Sequence, residues 1–248
     1  MGDTHIAGGI SFNNGNLSGH KYDVIPGDGN HPVNSVTWYS AIRFANWFGH
    51  GQGNDDTETG AFTLAPLGPG GVPINGDSPT RNSGATVFLP SESEWYKAAY
   101  YNSATSSYFQ FPTSTNTLPT ASGPTALPNH ANYDSVVANP TDVGAYSSTK
   151  SPYGAFDMGG NVLNWNEAFT DLGFETTRGF GGAAFYSPSD YLHSSSTMGS
   201  VMPEGPALYG IGFRVAETPE PSSLVLAAFG FIGLAAWGWR RRKTLCRS

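Results

Sequence analysis

Three side chains in the second half of the chain are of types that carry out acid–base chemistry. Glu167, Asp190 and His193 could each exchange a proton with a reacting group. Nothing in their spacing places all three together. They therefore define a hypothesis about catalysis and do not by themselves identify an active site.

The chain has a single cysteine, Cys246, close to its C-terminal end. No disulfide can form in the residues before the tail, and no thiol is available there for nucleophilic catalysis or for binding a soft metal. Enzyme classes that depend on cysteine are therefore excluded for that part of the chain.

The charge of the chain is unevenly distributed. Five of the 12 basic residues follow Trp239, whereas all 19 acidic residues precede it. The chain before Arg240 therefore holds seven basic against 19 acidic residues, a formal net charge of −12. Such a field repels nucleic acid, so we expect no nucleic-acid partner. It also favours cations, although solubility is the simpler interpretation.

An apolar run without charged residues extends from Leu224 to Trp239, and a basic block follows it at once: Arg240, Arg241, Arg242 and Lys243. As a helix the run would cover about 24 Å, somewhat less than the ~30 Å hydrocarbon core of a bilayer. A buried core helix is the alternative for so short a run. The basic block favours a transmembrane helix over residues 224–239, with a cytoplasmic tail at 240–248 and an external domain before it.

The elements that must position any site are expected to be few and short. Thr37 can cap a helix from Trp38 to Phe48, and a capping box of Ser91 and Glu94 predicts a second helix over 92–101. Short strands are expected at 61–64, 87–89 and 211–215. The Gly-aromatic segments 153–166 and 178–196 are typical of tight turns between short strands, and residues 1–30 are expected to be mostly loop.

Four blocks of the chain follow one known pattern. They are His31–Trp38 with its continuation to Trp47, Leu89–Ala99, Tyr153–Trp165, and Arg178–Phe185 with Gly212–Ala216. Their order and spacing resemble the formylglycine-generating enzyme, or sulfatase-modifying factor, family. The resemblance implies an α+β fold related to C-type lectins over residues 31–216, irregular and loop-rich, with few short helices and strands. Residues 1–30 lack the strand and helix that usually precede the first block.

Oxidases of this family hold copper with two cysteines, in a stretch that corresponds to Ala184–His193. This stretch contains no cysteine, and neither Ser nor Tyr supplies the soft ligand and redox chemistry of a thiolate. We therefore expect neither copper nor formylglycine generation. A related branch of the fold binds iron with three histidines, but no two histidines here form a tight pair at ligand spacing.

The family also binds calcium, and part of its ligand pattern is present. The resemblance implies one site at Asp157, Gly160, Val162 and Asn164. A second would begin at Asn132 and Tyr133, where the partner carboxylate is unclear. In the first site Asn164 replaces the usual Glu, and calcium affinity falls with ligand charge. The alternative is that this segment is only a structural turn packed by a tryptophan.

The end of the chain resembles a bacterial sorting signal. A short polar motif precedes the apolar run and the basic block: Pro219, Glu220 and Pro221. This order is similar to that of PEP-CTERM signals, which implies a linker and sorting motif over 217–223, an exosortase-type processing enzyme and delivery to the cell envelope. Residues 1–6 have neither the basic start nor the apolar core of a signal peptide. We therefore expect either that the natural start lies upstream or that the chain is a truncated gene product.

Two functions are compatible with these patterns. The first is a surface-anchored, non-catalytic binding or extracellular-matrix domain whose ligand is a polysaccharide or a surface protein. Four aromatic side chains could stack on such a ligand, unless they pack in the core: Trp38, Trp47, Tyr186 and Tyr191. The second is an enzyme of the same fold with a cysteine-free active site. The missing cysteines favour the first.

Overall fold

The computed structural model describes residues 9–17, 22–53, 56–64, 66, 68, 79–173, 176–196, 199–203 and 210–218. The chain divides into two units after Ala216, and all elements below belong to the first unit except the last residue of the last strand. Within the described ranges, no helix is long and apolar enough to cross a membrane. The expected transmembrane helix over 224–239, the basic block and the Pro-Glu-Pro motif all lie outside them. The membrane span therefore stays a prediction.

Two α-helices form where their capping residues predict them. Helix α1 spans Trp38–Gly49, and the side-chain oxygen of Thr37 accepts a hydrogen bond from the Ser40 amide at 3.1 Å. Helix α2 spans Glu92–Tyr100. In its capping box the Ser91 hydroxyl accepts from the Glu94 amide, and the Glu94 carboxylate accepts from the Ser91 amide. Both observed helices end within one residue of the predicted bounds.

A four-stranded sheet forms the centre of the domain, in the order β10-β9-β8-β11. Its strands are β8 (Leu163–Asp171), β9 (Thr176–Gly181), β10 (Gly199–Val201) and β11 (Ile211–Phe213). Strand β11 runs parallel to β8, whereas the other pairs are antiparallel. The nine-residue β8 contradicts the expected tight turns at its start. Residues 163–166 alternate apolar and polar side chains, a strand signal that covers only four positions, and all four side chains are buried.

The remaining described strands are short and pair two by two. They are β1 (Ile10–Phe12) with β2 (Tyr22–Val24), β3 (Val87–Phe88) with β12 (Ala216–Glu217), β4 (Tyr101–Asn102) with β5 (Ser107–Tyr108), and β6 (Thr120–Ala121) with β7 (His130–Ala131). One 3-10 turn covers Ser189–Leu192. The expected strand at 61–64 is only a bridge between Phe62 and Arg81, and the expected N-terminal loop contains the β1–β2 hairpin.

The main hydrophobic core lies between α1 and the central sheet, and it includes Trp38, Ile42, Phe62, Leu89, Trp165 and Ile211. A buried cation is built into this core. The guanidinium of Arg178 lies 3.8 Å from the Trp38 ring and donates to the carbonyl oxygens of Pro79 at 2.7 Å and Glu167 at 3.2 Å. Trp38 is fully buried. Trp38 therefore packs in the core and is not exposed for stacking on a ligand.

Candidate binding groove

The segment that follows β9 is held in place by helix α2. Tyr96 and Tyr100 are four residues apart on α2, and their ring centroids are 4.9 Å apart. The Tyr96 hydroxyl donates to the Ser194 carbonyl at 3.0 Å, and the Tyr100 hydroxyl donates to the Leu192 carbonyl at 3.3 Å. The Leu192 side chain is fully buried in a cluster that includes Phe111 and Tyr133. The backbone around residues 189–196 is thus fixed from below and presents its polar side chains outward.

An open groove of about 540 Å³ lies beside this segment. It is lined by two apolar side chains, Phe111 and Leu118, and by polar ones: Asp190, His193 and three serines. A smaller hollow next to it shares His193 and is lined by tyrosines from two elements: Tyr96, Tyr100 and Tyr191. The groove therefore combines aromatic surface, hydroxyl groups, one carboxylate and one imidazole.

His193 has a defined orientation in the groove. Its Nδ1 accepts a hydrogen bond from the Ser195 amide at 3.1 Å and lies 2.7 Å from the Ser195 hydroxyl oxygen. Because Nδ1 accepts from an N–H group, the neutral ring carries its proton on Nε2. The Phe111 ring meets the imidazole edge-on, with ring centroids 5.3 Å apart. His193 thus offers one N–H donor while Asp190 supplies an acceptor.

Glu167, the third acid–base candidate, is engaged elsewhere. Arg81 donates to both of its carboxylate oxygens, from Nε at 2.7 Å and from Nη2 at 2.9 Å. The same guanidinium binds Glu94 at 2.6 Å and packs over the Phe88 ring at 3.6 Å. Burial raises the pKa of Glu167, and Arg81 partly offsets this effect. The structure thus brings Asp190 and His193 into one groove and places Glu167 in a separate ion-pair network.

The Arg81 network predicts a specific pH dependence of stability. Hydrogen bonding to Arg81 lowers the pKa of Glu94 to about 2, whereas an unfolded Glu titrates near ~4.3. The Arg81–Glu94 pair therefore contributes fully to the free energy of unfolding above pH ~4.3, and this contribution is lost as the pH falls towards 2. In Glu94→Gln the melting temperature should fall less between pH 6 and pH 3 than in the wild type, as measured by circular dichroism. Glu92→Gln, an exposed change on the same helix, should follow the wild-type curve. Parallel curves for Glu94→Gln and the wild type would contradict the assignment.

The four aromatic candidates separate into different environments. Tyr191 is 47% exposed and lines the hollow beside the groove. Tyr186 is 40% exposed and meets Phe185 edge-on. Trp47 is half-buried on α1, where its indole N–H donates to the Gly53 carbonyl. Only Tyr191 therefore lies at the groove, and the sequence patterns did not identify its neighbours Tyr96, Tyr100 and Phe111. The four-residue spacing of the two tyrosines on α2 was the signal available for them.

The stretch that corresponds to the copper site of the oxidases contributes to the core. Ala184, Phe185 and Leu192 are buried, and the Ser187 hydroxyl accepts from the Ala184 amide at 3.0 Å. Over the described residues, no three His, Cys, Asp or Glu side chains are grouped closely enough to hold a metal ion. Cys246 is outside these residues, and the expected absence of copper stays a prediction.

Asp157 and Asn164, the two residues assigned as side-chain calcium ligands at this turn, hydrogen-bond within the protein. The Asn164 carbonyl oxygen accepts from Arg214 at 2.7 Å and from the Trp95 indole at 3.2 Å, while its amide nitrogen donates to the Val162 carbonyl at 3.1 Å. The Asp157 carboxylate accepts from the Gly144 amide at 2.7 Å. Both side chains and the Val162 carbonyl are thus engaged with groups of the protein.

The Asn132 position differs from this turn. The side chain is buried, and its carbonyl oxygen has no hydrogen-bond partner, although its amide nitrogen donates to the Asn139 carbonyl at 3.0 Å. An open, buried carbonyl oxygen is a ligand type that calcium accepts. The Tyr133 carbonyl accepts only a long bond of 3.3 Å from the Val136 amide. Calcium at Asn132 and Tyr133 stays a prediction.

Comparison with known proteins agrees with this architecture. The family described as sulfatase-modifying factor enzyme 1-like domain matches residues 12–219, and the PEP-CTERM protein-sorting motif matches residues 217–243. No curated protein matches the chain.

Solved structures with a similar fold include one described as the crystal structure of CarF. It has 21% sequence identity and a TM-score of 0.56, with 80% of this chain and 73% of that chain covered. Treponema denticola variable protein 1 has 22% identity and a TM-score of 0.53, with 84% and 75% covered. At these identities the likeness shows the fold alone. Because the family match spans most of the sequence, the chain belongs to the sulfatase-modifying factor enzyme 1-like family and carries a PEP-CTERM protein-sorting motif.

Proposed function

We propose that the folded domain is a non-catalytic binding module of the bacterial cell envelope and that it binds a polysaccharide in the groove beside Asp190 and His193. The sorting motif marks the chain for export and for processing by an exosortase-type enzyme at the membrane. The observation that carries the binding role is the open, aromatic and hydroxyl-lined groove next to a cysteine-free segment packed into the core.

The composition of the groove suits a sugar polymer. Sugar rings present apolar C–H faces and polar hydroxyl edges, which match a groove lined by Phe111, Leu118 and three serines, with Tyr191 in the adjoining hollow. Asp190 can accept from sugar hydroxyls, and the Nε2 proton of His193 can be donated to them. An open groove leaves the ends of a long ligand free, whereas small-molecule sites usually enclose their ligand.

The charge of the domain narrows the class of polysaccharide. The chain before Arg240 holds seven basic and 19 acidic residues, and a field of this sign repels anionic polymers. The proposed ligand is therefore a neutral polysaccharide. A hydrolase that acts on the same polymer is the second candidate, because Asp190 and His193 line the same groove.

Affinity electrophoresis of the full-length chain in detergent can test this proposal, with neutral starch or dextran in the gel and anionic alginate for comparison. We expect retardation by a neutral polymer. Tyr191→Ala should weaken binding about tenfold, because an aromatic contact contributes ~0.5–1.5 kcal/mol in addition to its buried area. Tyr153→Ala, which removes an equally exposed tyrosine outside the groove lining, should leave binding unchanged.

The other outcomes distinguish the alternatives. Equal binding by both tyrosine variants would show that the ligand does not bind in this groove. Retention of a surface protein without any polysaccharide would favour a protein ligand. Release of reducing ends that stops in Asp190→Asn, while binding persists, would identify a hydrolase in place of a binding module.

A further inference from the structure

We infer that the turn between Phe156 and Asn164 is closed without a metal ion, because the guanidinium of Arg214 is its cation and the Asn164 side chain links Arg214 to the Val162 carbonyl. The inference rests on contacts at this turn and is independent of the proposed function. It reassigns residues that the family resemblance marks as calcium ligands.

Arg214 follows strand β11 and reaches across to the turn. Its Nη2 donates to the backbone carbonyls of Phe156 and Asp157, both at 2.7 Å, and its Nε donates to the Asn164 side chain at 2.7 Å. Three short bonds from a charged donor are the strong kind of hydrogen bond. The guanidinium thus binds three oxygen atoms of the turn, as a metal cation would.

The orientation of the Asn164 amide decides against calcium. Two N–H donors, from Arg214 and Trp95, point at one end of the amide, which must therefore be its carbonyl oxygen. The amide nitrogen is then directed at the Val162 carbonyl, 3.1 Å away. Calcium requires oxygen ligands at about 2.3–2.6 Å, and the N–H group of Asn164, which donates to the Val162 carbonyl, is not such a ligand.

The Asp157 carboxylate has a different structural role. Asp157 adopts a left-handed backbone conformation with φ of 54°, and its Oδ2 accepts from the Gly144 amide at 2.7 Å. Its carboxylate joins the turn to the preceding loop. The turn, the start of β8 and the end of β11 are thereby fastened by side chains of this chain alone, and this part of the fold does not depend on external calcium.

The test follows thermal unfolding of the full-length chain in excess calcium and in excess EDTA. All variants carry Asn132→Ser, which removes the other predicted calcium ligand. We expect the same midpoint in both solutions for this background. Adding Asn164→Glu should create a midpoint that rises by several degrees with calcium, because a carboxylate oxygen then replaces the amide nitrogen.

A further variant keeps the test decisive if Asn164→Glu does not fold. Arg214→Gln should lower the midpoint equally in calcium and in EDTA, since a neutral side chain cannot replace the guanidinium. Three results would overturn the inference: a calcium-dependent midpoint in the Asn132→Ser background that disappears with Asn164→Ala, restoration of the Arg214→Gln midpoint by calcium, or a folded Asn164→Glu variant without a calcium response.

Discussion

Replacement of Trp38 by alanine should destabilise the domain by roughly 3–5 kcal/mol, the range for deleting a buried aromatic side chain. Trp38 is fully buried, and its indole N–H donates to the Asn166 carbonyl at 2.9 Å. Its ring meets Phe62 edge-on and carries the Arg178 guanidinium on one face. The substitution therefore creates a cavity, removes a buried hydrogen bond to a carbonyl and removes the aromatic surface beneath a buried charge.

Trp47→Ala is the matched control, because both tryptophans lie on helix α1. Trp47 is half-buried and donates to the Gly53 carbonyl near the surface, so we expect a loss of about 1 kcal/mol. Urea unfolding followed by far-ultraviolet circular dichroism measures both variants without relying on tryptophan fluorescence. Similar losses for the two variants would show that burial in the core does not set the stability of this helix.

Local signals predicted the helices well because each helix carries its own boundary chemistry. Ser91 and Glu94 satisfy each other's backbone amides in the folded chain as their spacing requires. The long strand β8 had a weaker signal, because only residues 163–166 alternate apolar and polar side chains. The polar members Asn164 and Asn166 suggest a solvent-facing side, but both are buried and hydrogen-bonded inside the protein.

The groove and the closed turn depend on contacts between distant parts of the chain. His193 meets Phe111, which precedes it by about eighty residues, and Arg214 reaches Asn164 from fifty residues later. The periodicity of a sequence does not show which distant residues come into contact. The sequence could identify Asp190, His193 and Tyr191 as residues with suitable chemistry. Only the fold places Asp190 and His193 in one groove, with Tyr191 in the hollow beside it, and removes Glu167 from the groove.

Gly160→Ala should also destabilise the domain strongly, for two separable reasons. Gly160 has φ of 90°, a conformation that costs a residue with a Cβ about 1–2 kcal/mol. A Cβ at this position would also lie 2.4 Å from the backbone oxygen of Asn132. That oxygen accepts the Asn161 amide at 2.8 Å, so the backbone around Asn132 cannot move away without weakening this bond.

Gly154→Ala separates the two costs, because Gly154 has φ of 82° and a Cβ added there would have no neighbouring atom within 4 Å. Gly154→Ala should lower the free energy of unfolding only by the backbone conformational cost. Gly160→Ala should lower it by a further ~1–3 kcal/mol because of overpacking. Urea midpoints of the two variants give this difference directly. Equal losses would mean that the close approach of Gly160 to Asn132 is not a constraint on the fold. A larger loss for Gly160→Ala would explain why the turn requires glycine here even though its closure relies on the side chains of Asn164 and Arg214.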